Sequence, residues 1–297
     1  MPAVKIDRGA IYVQRSGRRL YEMLYSVETN DYTSSDVSRL NPGALESGVV
    51  ALAVQRQPDT RVYIVLNSGV CCVLTYERDD KVVAFTQIET DGWIEDVAVL
   101  PNDDQDDVYF TVRRNSTERY TERMGKELDQ KTMMGCALLD ACKVLTNTGV
   151  ITGATHLANR TVAVWADGRR RADVAIDGSG NGTLDNTYTR VVYGLGYYAT
   201  YKSVKLAHAA QLGTALEQQK IVRMASLVLS NSCLDGVRIG RIDRNVVPKL
   251  AGMPDLVKGI ARGPSQFFAH FDENPFPIPS EWDSDSRIYL QVDSREG

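Results

Sequence analysis

The stretch "DGSGNGTLD" at residues 177–185 carries oxygen-bearing side chains at a spacing that could bind a cation. Counted from Asp177, the side chains of Ser179, Asn181 and Asp185 fall at loop positions three, five and nine. Gly182 falls at position six, where an EF-hand loop has its glycine. The pattern therefore matches the start of a calcium-binding EF-hand loop, and it could also be a simple turn.

The remainder of the loop favours the turn. An EF-hand loop ends in a bidentate carboxylate at position twelve, and this sequence has Tyr188 there. The flanking stretches "ADVAI" and "TYTRVV" are typical of strands, whereas helices flank an EF-hand. Glycines at 178, 180 and 182 tolerate positive φ, as a tight connection between strands requires. We predict a turn and no metal site, with weak cation binding as the open alternative.

The histidines and serines give no catalytic pattern. His156, in "GATHLANR", has no carboxylate nearby in sequence, and His208 and His270 have still less context. No G-x-S-x-G motif nominates a serine nucleophile, and Ser265, in "RGPSQFF", is predicted to lie in a turn that enters a strand. We therefore predict a capping or packing role for His156.

Two acidic segments, 101–110 and 281–287, could supply the paired carboxylates of a glycosidase. One carboxylate of such a pair needs an apolar pocket that raises its pKa, and both segments are predicted to be solvated loops. The segment "GLGYYAT" at 194–200 lacks the lysine of a phosphate-binding loop. We therefore expect no catalytic residues and no bound cofactor, and we do not expect an enzyme.

Charged and sulfur-bearing residues give equally weak functional signals. The five cysteines contain no C-x2-C pair, and free thiols are expected at Cys71, Cys72, Cys136, Cys142 and Cys233. The basic segments 15–19 and 167–173 are predicted to be hairpin tips, solvated or paired with a neighbouring subunit, with phosphate contact as the alternative. A net charge of -4 gives no reason to expect tight binding to a nucleic-acid backbone.

Composition indicates a folded chain that is made in the cytoplasm. It is 43% hydrophobic and 24% charged, which is typical of a globular protein rather than a disordered one. The first residues lack the apolar run of a signal peptide, and the longest apolar runs are far shorter than the roughly 20 residues that cross a bilayer.

Short antiparallel strands dominate the elements that would position these residues. Hairpins are predicted at 10–27, around Ser16-Gly17, and at 61–78, around Asn67-Ser68-Gly69. Further strands are predicted at 81–90 and 93–101, and another hairpin at 106–124, turning at Asn115-Ser116. This spacing is typical of propeller blades or a β-sandwich, although too few copies of the unit occur to predict a closed propeller.

The predicted fold class is all-β, mainly antiparallel, with propeller-like or sandwich sheets, a small inserted β-barrel module and few short helices. Short helical turns are predicted within 36–48 and a helix within 129–145. Strands are predicted at 219–232, 237–243, 266–272 and 286–294, with a proline-rich loop at 273–286. The predicted domains are a propeller-like platform at 1–149, the barrel or sandwich insert at 150–208, and a β-rich continuation at 209–297 that packs with the platform.

Seven segments occur in a fixed order over about residues 11–293. They read "YVQRSGRRLYEMLYSVETNDYTSSDVSRL", "VYIVLNSGVCCVLTYERDDKVVAFTQIETDGWIEDVAVLP", "DDVYFTVRRNSTERYTERM", "THLANRTVAVWADGRR", "VVYGLGYYATYKSVKL", "KIVRMASLVLSNSCLDGVRIG" and "PSEWDSDSRIYLQV". In this order they resemble the C-terminal part of the tail nozzle proteins (tail tubular protein B) of short-tailed bacteriophages. Typical members of that family are longer, with a large region ahead of the first segment.

The resemblance implies a structural virion protein. Family members form a hexameric tube at the distal end of the tail, through which genomic DNA leaves without sequence-specific binding. It also implies other tail proteins as partners (an adaptor, fibres or a needle), a contact with the host surface, and a location in the virion. The module at 150–206 resembles the small β-domain often inserted in these proteins.

A second interpretation is a monomeric carbohydrate-binding or envelope-polysaccharide-processing β module. Four tyrosines close in sequence could form a surface on which sugar rings stack: Tyr193, Tyr197, Tyr198 and Tyr201. Aromatic residues on strands are more often core or interface residues, so the structural interpretation is preferred.

Overall fold

The computed structural model describes residues 3–6, 9–115, 117–127, 134–135, 138–205, 218–233, 236–240, 267–278, 282–284 and 287–296. Antiparallel strands make up most of the described chain, which confirms the predicted all-β class. The described helical segments are single 3-10 turns at Pro42–Leu45, Thr155–Leu157 and Ser294–Glu296. The first of these confirms the short helical turn predicted within 36–48. The chain divides into two compact units, residues 1–128 and 129–297.

The first unit consists of three antiparallel meanders, one after another along the chain. Sheet A contains β1 (Val4–Ile6), β2 (Gly9–Val13), β3 (Leu20–Ser26) and β4 (Asp31–Asp36). Sheet B contains β5 (Val49–Gln55), β6 (Arg61–Leu66), β7 (Cys71–Glu77) and β8 (Val82–Ile88). Sheet C contains β9 (Trp93–Leu100), β10 (Asp107–Arg113) and β11 (Arg119–Arg123). In each sheet, neighbours in space are also neighbours in sequence, as the predicted hairpins require.

The two central strands of sheet B, β6 and β7, are buried on both faces because apolar residues occupy consecutive positions of each. Successive side chains of a strand point to opposite faces, so "VYIVL" and "CCVL" supply apolar side chains to both. One face packs against sheet A through buried side chains that include Ile11, Leu20, Val62, Ile64, Cys72 and Leu74. The other face packs against sheet C through Tyr63, Val65, Cys71, Ile94, Val108 and Phe110. Sheet B is therefore the middle layer of a three-sheet stack.

A tight turn at Gly69 joins the two central strands of sheet B. Gly69 has a φ of +79°, and a Cβ atom there would lie 2.5 Å from the Trp93 ring. Its carbonyl accepts a hydrogen bond from the Ile94 N–H at 3.0 Å. Both the backbone conformation and the close ring therefore require glycine at this position.

The second unit begins with an open sheet. Sheet D has the order β12-β15-β13-β14, from β12 (Asp140–Ile151), β13 (Thr161–Ala166), β14 (Arg169–Ala175) and β15 (Gly182–Leu195). One face carries the larger core, which includes Ile151, Val162, Val164, Tyr188, Val191 and Tyr193. The long strand β15 lies between β12 and β13, so it fixes the positions of both.

Two smaller sheets complete the described part of the second unit. Sheet E has β20 (Tyr289–Asp293) between β16 (Tyr198–Lys202) and β18 (Val237–Gly240). Sheet F is a pair, β17 (Met224–Cys233) and β19 (Phe267–Pro277). A shared cluster that includes Val237, Ile239, Ile278, Leu227 and Leu290 joins the two sheets.

The structure divides the chain differently from the predicted domains. Strand β12 crosses the predicted boundary at 149/150, and β16, inside the predicted insert, pairs with β20 near the other end of the chain. In the described residues the module at 150–208 contributes strands to two open sheets, D and E, rather than forming a barrel. The second predicted boundary, at 208/209, lies outside the described residues.

Two predictions of local structure are wrong where the structure describes them. The helix predicted within 129–145 is a strand from Asp140 onward, where β12 pairs with β15, and residues 129–133, 136 and 137 lie outside the described residues. The proline-rich loop predicted at 273–286 is a strand up to Pro277, because β19 continues its pairing with β17. In both cases pairing with a distant strand decided the conformation, and local composition does not report that pairing.

Candidate functional site

The loop at 177–185 is a turn that the side chain of Asp177 holds together. Its Oδ1 accepts hydrogen bonds from the backbone N–H groups of Ser179 and Asn181, each at 2.8 Å. The hydrogen bond from the Asn181 backbone is the main cause that lowers the pKa of Asp177. Asp185 accepts a hydrogen bond from the Tyr188 hydroxyl at 2.8 Å. The carboxylates that suggested a cation site thus have structural partners.

Gly180 has a structural reason to be glycine. Its φ is +81°, and a Cβ atom there would lie 2.6 Å from the backbone nitrogen of Thr155. The carbonyl of Gly180 also accepts a hydrogen bond from the Ala154 N–H at 2.9 Å. The loop therefore lies directly against the segment that carries His156. Within the described residues, no group of three or more His, Cys, Asp or Glu side chains is placed to hold a metal ion.

His156 joins a 3-10 turn to strand β12. Its Nε2 lies 3.0 Å from the carbonyl oxygen of Ala141, so this nitrogen is the donor. This contact agrees with the packing role predicted for His156. The side chain of His270, and His208 and Ser265 entirely, lie outside the described residues.

The acidic segment 101–110 is not a purely solvated loop. Asp106 is buried, and its Oδ2 accepts hydrogen bonds from the backbone N–H groups of Arg56 at 2.8 Å and Gln57 at 3.2 Å. Asp107 pairs with Lys126 at 3.3 Å and Arg123 at 3.5 Å. Asp106 therefore ties two loops together at one end of the sheet stack.

The second acidic segment, 281–287, is described only in part. The backbone of Asp283 forms a two-way hydrogen-bonded bridge with Lys220, at 2.7 and 3.0 Å. Residues 281, 285 and 286 lie outside the described residues.

The structure does not assemble the four tyrosines considered for sugar stacking. Tyr193 is fully buried in the core of sheet D, whereas Tyr197, Tyr198 and Tyr201 are exposed. Arg295 lies over the Tyr198 ring, 5.3 Å from its centroid, and donates to the Tyr198 hydroxyl at 2.5 Å. The guanidinium covers one face of the Tyr198 ring, so a sugar could stack on that face only by displacing it.

Three arginines of the basic hairpin tips make contacts within the chain. Arg170 pairs with Asp173 at 2.5 Å, and the Arg171 guanidinium lies 4.7 Å from the centre of the Tyr188 ring. In the other tip Arg19 pairs with Asp36 at 3.5 Å. These contacts occupy three of the arginines within the chain, and pairing of the tips with a neighbouring subunit stays a prediction.

The described cysteines include two adjacent buried thiols. Burial raises the pKa of Cys71 to about 12 and that of Cys72 to about 11, so both stay protonated and unreactive near neutral pH. Cys142 is half-buried. Residue 136 and the side chain of residue 233 lie outside the described part of the chain.

A buried polar cluster between sheets A and B was not predicted. Glu22 is 5% exposed, and its carboxylate accepts a hydrogen bond from the Tyr76 hydroxyl at 2.8 Å and another from the Arg78 guanidinium. Burial is the main cause that raises the pKa of Tyr76 to about 12, and the hydrogen bond to Glu22 adds to it. Glu22 occupies an inward-facing position of "LYEMLYS". A charged residue at a position that the alternation assigns to the buried face was the signal in the sequence for this cluster.

The outer face of sheet A is rich in tyrosine. Residues 20, 22 and 24 point towards sheet B, so the alternate residues of β3 and their cross-strand neighbours form the opposite face. We call it the tyrosine face, defined by Tyr12, Tyr21, Met23, Tyr25 and Tyr32. Tyr12 stacks on Tyr21 with ring centres 5.8 Å apart, and Tyr25 meets Tyr32 edge to face at 5.3 Å.

The outer face of sheet C, at the other end of the stack, is rich in arginine. Val108, Phe110 and Val112 point towards sheet B, so the alternate residues of β10 point away from it. We call this the arginine face, defined by Leu100, Arg113, Arg119 and Arg123; Trp93 lies at its edge, where its ring also covers Gly69 in the turn of sheet B.

Ion pairs and a cation–π contact organise the arginine face. The Arg113 guanidinium lies 5.5 Å from the Trp93 ring centre. Glu95 accepts from Arg119 at 2.6 Å and pairs with Arg113 at 3.0 Å; the hydrogen bond from Arg119 is the main cause that lowers the pKa of Glu95. Exposed tyrosine, tryptophan, methionine and arginine are the residues that protein interfaces favour.

Comparison with known proteins adds no family assignment. No protein-family model matches the chain, and no curated protein matches it. No helix in the described part of the chain is long and apolar enough to cross a membrane.

Proposed function

We propose that the chain is a structural subunit of an oligomeric phage tail nozzle or hub, a hexamer that forms the channel for DNA ejection. The observation that carries the assembly part of this proposal is the open three-sheet stack. The central strands of sheet B are covered on both faces, whereas the tyrosine face and the arginine face at the two ends leave large apolar and cationic side chains exposed. Exposed faces of this composition favour contact with another protein.

The use of the titratable residues also supports a structural role rather than an enzymatic one. Asp177 closes a turn, Asp106 joins two loops, Glu22 joins two sheets and His156 joins a turn to a strand. Each of these groups stabilises the fold through a specific partner. A catalytic group would instead face a site that a substrate can reach.

The tail assignment depends on the colinear resemblance of the seven segments. On this basis we propose a location in the virion, with an adaptor, fibres or a needle as tail partners and a contact with the host surface. We propose that genomic DNA passes through the channel without tight binding, because a net charge of -4 supplies no excess of cations for the phosphates. Tight binding of the assembled protein to duplex DNA at physiological salt would contradict this part of the proposal.

The native mass of the purified protein over a concentration series tests the proposal. A species with the mass of six chains, and rings of that size in negative-stain images, is the expected result. A chain that stays monomeric at every concentration would overturn the homo-oligomeric nozzle. A ring with a different number of copies would keep the structural role and correct the hexamer.

A monomeric carbohydrate-binding or polysaccharide-processing module is the second candidate function. The exposed tyrosines at 197, 198 and 201 favour it, because aromatic rings can stack on sugars. A glycan array and a reducing-end assay on host envelope polysaccharide test it. Binding or release by a monomeric chain would support this function over the nozzle.

A further inference from the structure

The sheets of the first unit stack in chain order. Strand β5, which begins sheet B, contacts both β1, which begins sheet A, and β9, which begins sheet C. The first strands of the three sheets thus lie side by side, and each new sheet packs on the previous one. Another sheet added to the stack beyond sheet C would have its first strand beside β9. No described sheet of the first unit occupies that position.

The tyrosine face has the chemistry of a protein contact. Tyr25 is 49% exposed and Tyr32 is 64% exposed, with Met23 beside them. The rings meet edge to face or pack in pairs, and the Tyr12 hydroxyl is hydrogen-bonded to Ser34 at 2.7 Å. The rings therefore do not present the single flat platform that sugar rings prefer. Rigid tyrosines of this kind are frequent at the energetic centres of interfaces.

The arginine face is complementary to the tyrosine face. The side chains of Arg119 and Arg123 are 57% and 49% exposed despite their carboxylate partners. Guanidinium groups are attracted to the faces of aromatic rings, and the chain already makes such contacts at Arg113–Trp93, Arg171–Tyr188 and Arg295–Tyr198. Exposed apolar residues accompany the charge, because Leu100 on this face and Trp93 at its edge are both exposed.

We propose that the tyrosine face of one copy of this chain binds the arginine face of a second copy. The contact continues the sheet stack from sheet C of one copy to sheet A of the next, so that β1 of the second copy lies beside β9 of the first. The two surfaces differ, so the contact is head-to-tail, and a head-to-tail contact generates a ring when its rotation closes. This inference rests on the proposed oligomeric function and names the surfaces that would build the oligomer.

Two sets of variants test the contact in the full chain. Tyr25→Ser with Tyr32→Ser alters the tyrosine face, and Arg119→Glu with Arg123→Glu alters the arginine face. Each is expected to raise the concentration at which half of the chains are assembled by about tenfold or more, because such residues dominate interface energies. Thermal unfolding identifies any variant that fails to fold, and Arg119→Gln with Arg123→Gln is the milder replacement. Tyr201→Ser and Arg223→Glu, exposed residues of the second unit, are the matched controls.

Mixing the two variants gives the decisive result. Each variant keeps one intact face, so a head-to-tail contact predicts that the mixture forms a dimer from one copy of each and stops there. Two variants that block assembly and form no mixed dimer would overturn the pairing of these two faces. If the wild-type chain assembles and both variants assemble equally well, the inference fails while the proposed oligomeric function stands.

Two further outcomes separate the remaining possibilities. A wild-type chain that is monomeric at every concentration would overturn both this inference and the oligomeric function. Binding of the wild-type chain to a glycan array, lost in the tyrosine-face variant with no change of native mass, would identify the face as a glycan site and overturn the contact between copies.

Discussion

At the scale of single residues, groups that could do chemistry stabilise the fold instead. Asp177 gives the clearest case, because its Oδ1 accepts two backbone N–H groups within a loop whose sequence suggested calcium. Asx-type turns and cation loops use the same residue types, since both need oxygen acceptors close to the backbone. The flanking strands and Tyr188 distinguish the two, and both features are visible in the sequence.

Asp177 is expected to make the stability of the second unit depend on acid pH. Its pKa is lower in the folded chain, so its ionised form stabilises the fold above about pH 4, and this contribution is lost as pH falls through the folded-state pKa. Urea unfolding of the wild type, Asp177→Asn and Asp177→Ala measures the effect. Asparagine keeps the acceptor oxygen without the titration. We expect Asp177→Ala to be the least stable at pH 7, and the wild type to lose its advantage over Asp177→Asn in acid.

The free energies of unfolding of the wild type and Asp177→Asn could differ by the same amount at pH 7 and in acid. That result would show that Asp177 does not contribute to stability through its charge. Equal instability of the asparagine and alanine variants at pH 7 would show that the hydrogen bonds to its Oδ1 do not matter.

Among the polar side chains of the first unit, Glu22 is expected to be the one whose truncation lowers the stability of the unit most. Glu22→Ala leaves the buried Tyr76 hydroxyl without its acceptor, which costs about 1–3 kcal/mol. Removing both partners, with Tyr76→Phe, is expected to recover part of that loss, because no buried hydroxyl is left unpaired. A double-mutant cycle in urea measures the coupling. Additive effects of the two substitutions would mean that the hydrogen bond contributes nothing to stability.

At the scale of elements, the sequence predicted the strands and the local hairpins well, and it predicted the pairing of distant strands poorly. The hairpins around Gly17 and Gly69 form as predicted, because the turn residues and the flanking apolar runs are local signals. Strand β12 was mistaken for a helix, because its pairing with β15 joins residues about 40 or more positions apart along most of its length. Sequence gives no direct signal for such distant pairing.

The two outer faces were missed for a related physical reason. Tyr25, Tyr32 and Arg119 look like ordinary strand residues until the stacking of the sheets shows which faces are covered. The apolar runs of β6 and β7 did carry a signal for a middle layer, since strands buried on both faces lack alternation. That signal, applied to sheet B, would have predicted two flanking sheets with outer faces.

Buried titratable side chains of sheet B are expected to lower the stability of the first unit at alkaline pH. The pKa of the buried Cys71 thiol rises to about 12, whereas an unfolded thiol titrates near about 8.5. The unfolded chain therefore loses this proton first, and stability falls as pH rises from about 8.5 towards 12. Tyr63 adds to the fall above about pH 10, because burial raises its pKa to about 12.

Cys71→Ala tests this source of alkaline instability. Removing one titrating group is expected to make the fall of unfolding free energy with pH shallower by up to about 1.4 kcal/mol per pH unit. Urea unfolding between pH 7 and pH 11 measures it, with Cys142→Ala, at a half-buried site, as the control. An unchanged slope in Cys71→Ala would mean that this thiol is ionised, or solvated, in the folded chain.

At the scale of the whole molecule, the division at 128/129 predicts that the first unit folds by itself. The buried side chains on both faces of sheet B all come from residues 1–128, so the stack should retain its core in isolation. Residues 1–128 alone are expected to unfold in one cooperative step. Leu74→Ala should lower the free energy of unfolding by about 2–5 kcal/mol, because Leu74 is fully buried between sheets A and B.

The comparison of fragment and full chain makes this prediction specific. If the core is autonomous, Leu74→Ala shifts the unfolding of the fragment and of the first unit in the full chain by the same amount, since the cavity has the same walls in both. Leu40→Ala is the matched control, because Leu40 is 95% exposed and its truncation creates no cavity. A fragment without a cooperative transition, or one in which both leucine substitutions have equal effects, would mean that the stack forms only with the rest of the chain. An autonomous stack would in turn allow the tyrosine and arginine faces to be studied in the unit that carries both.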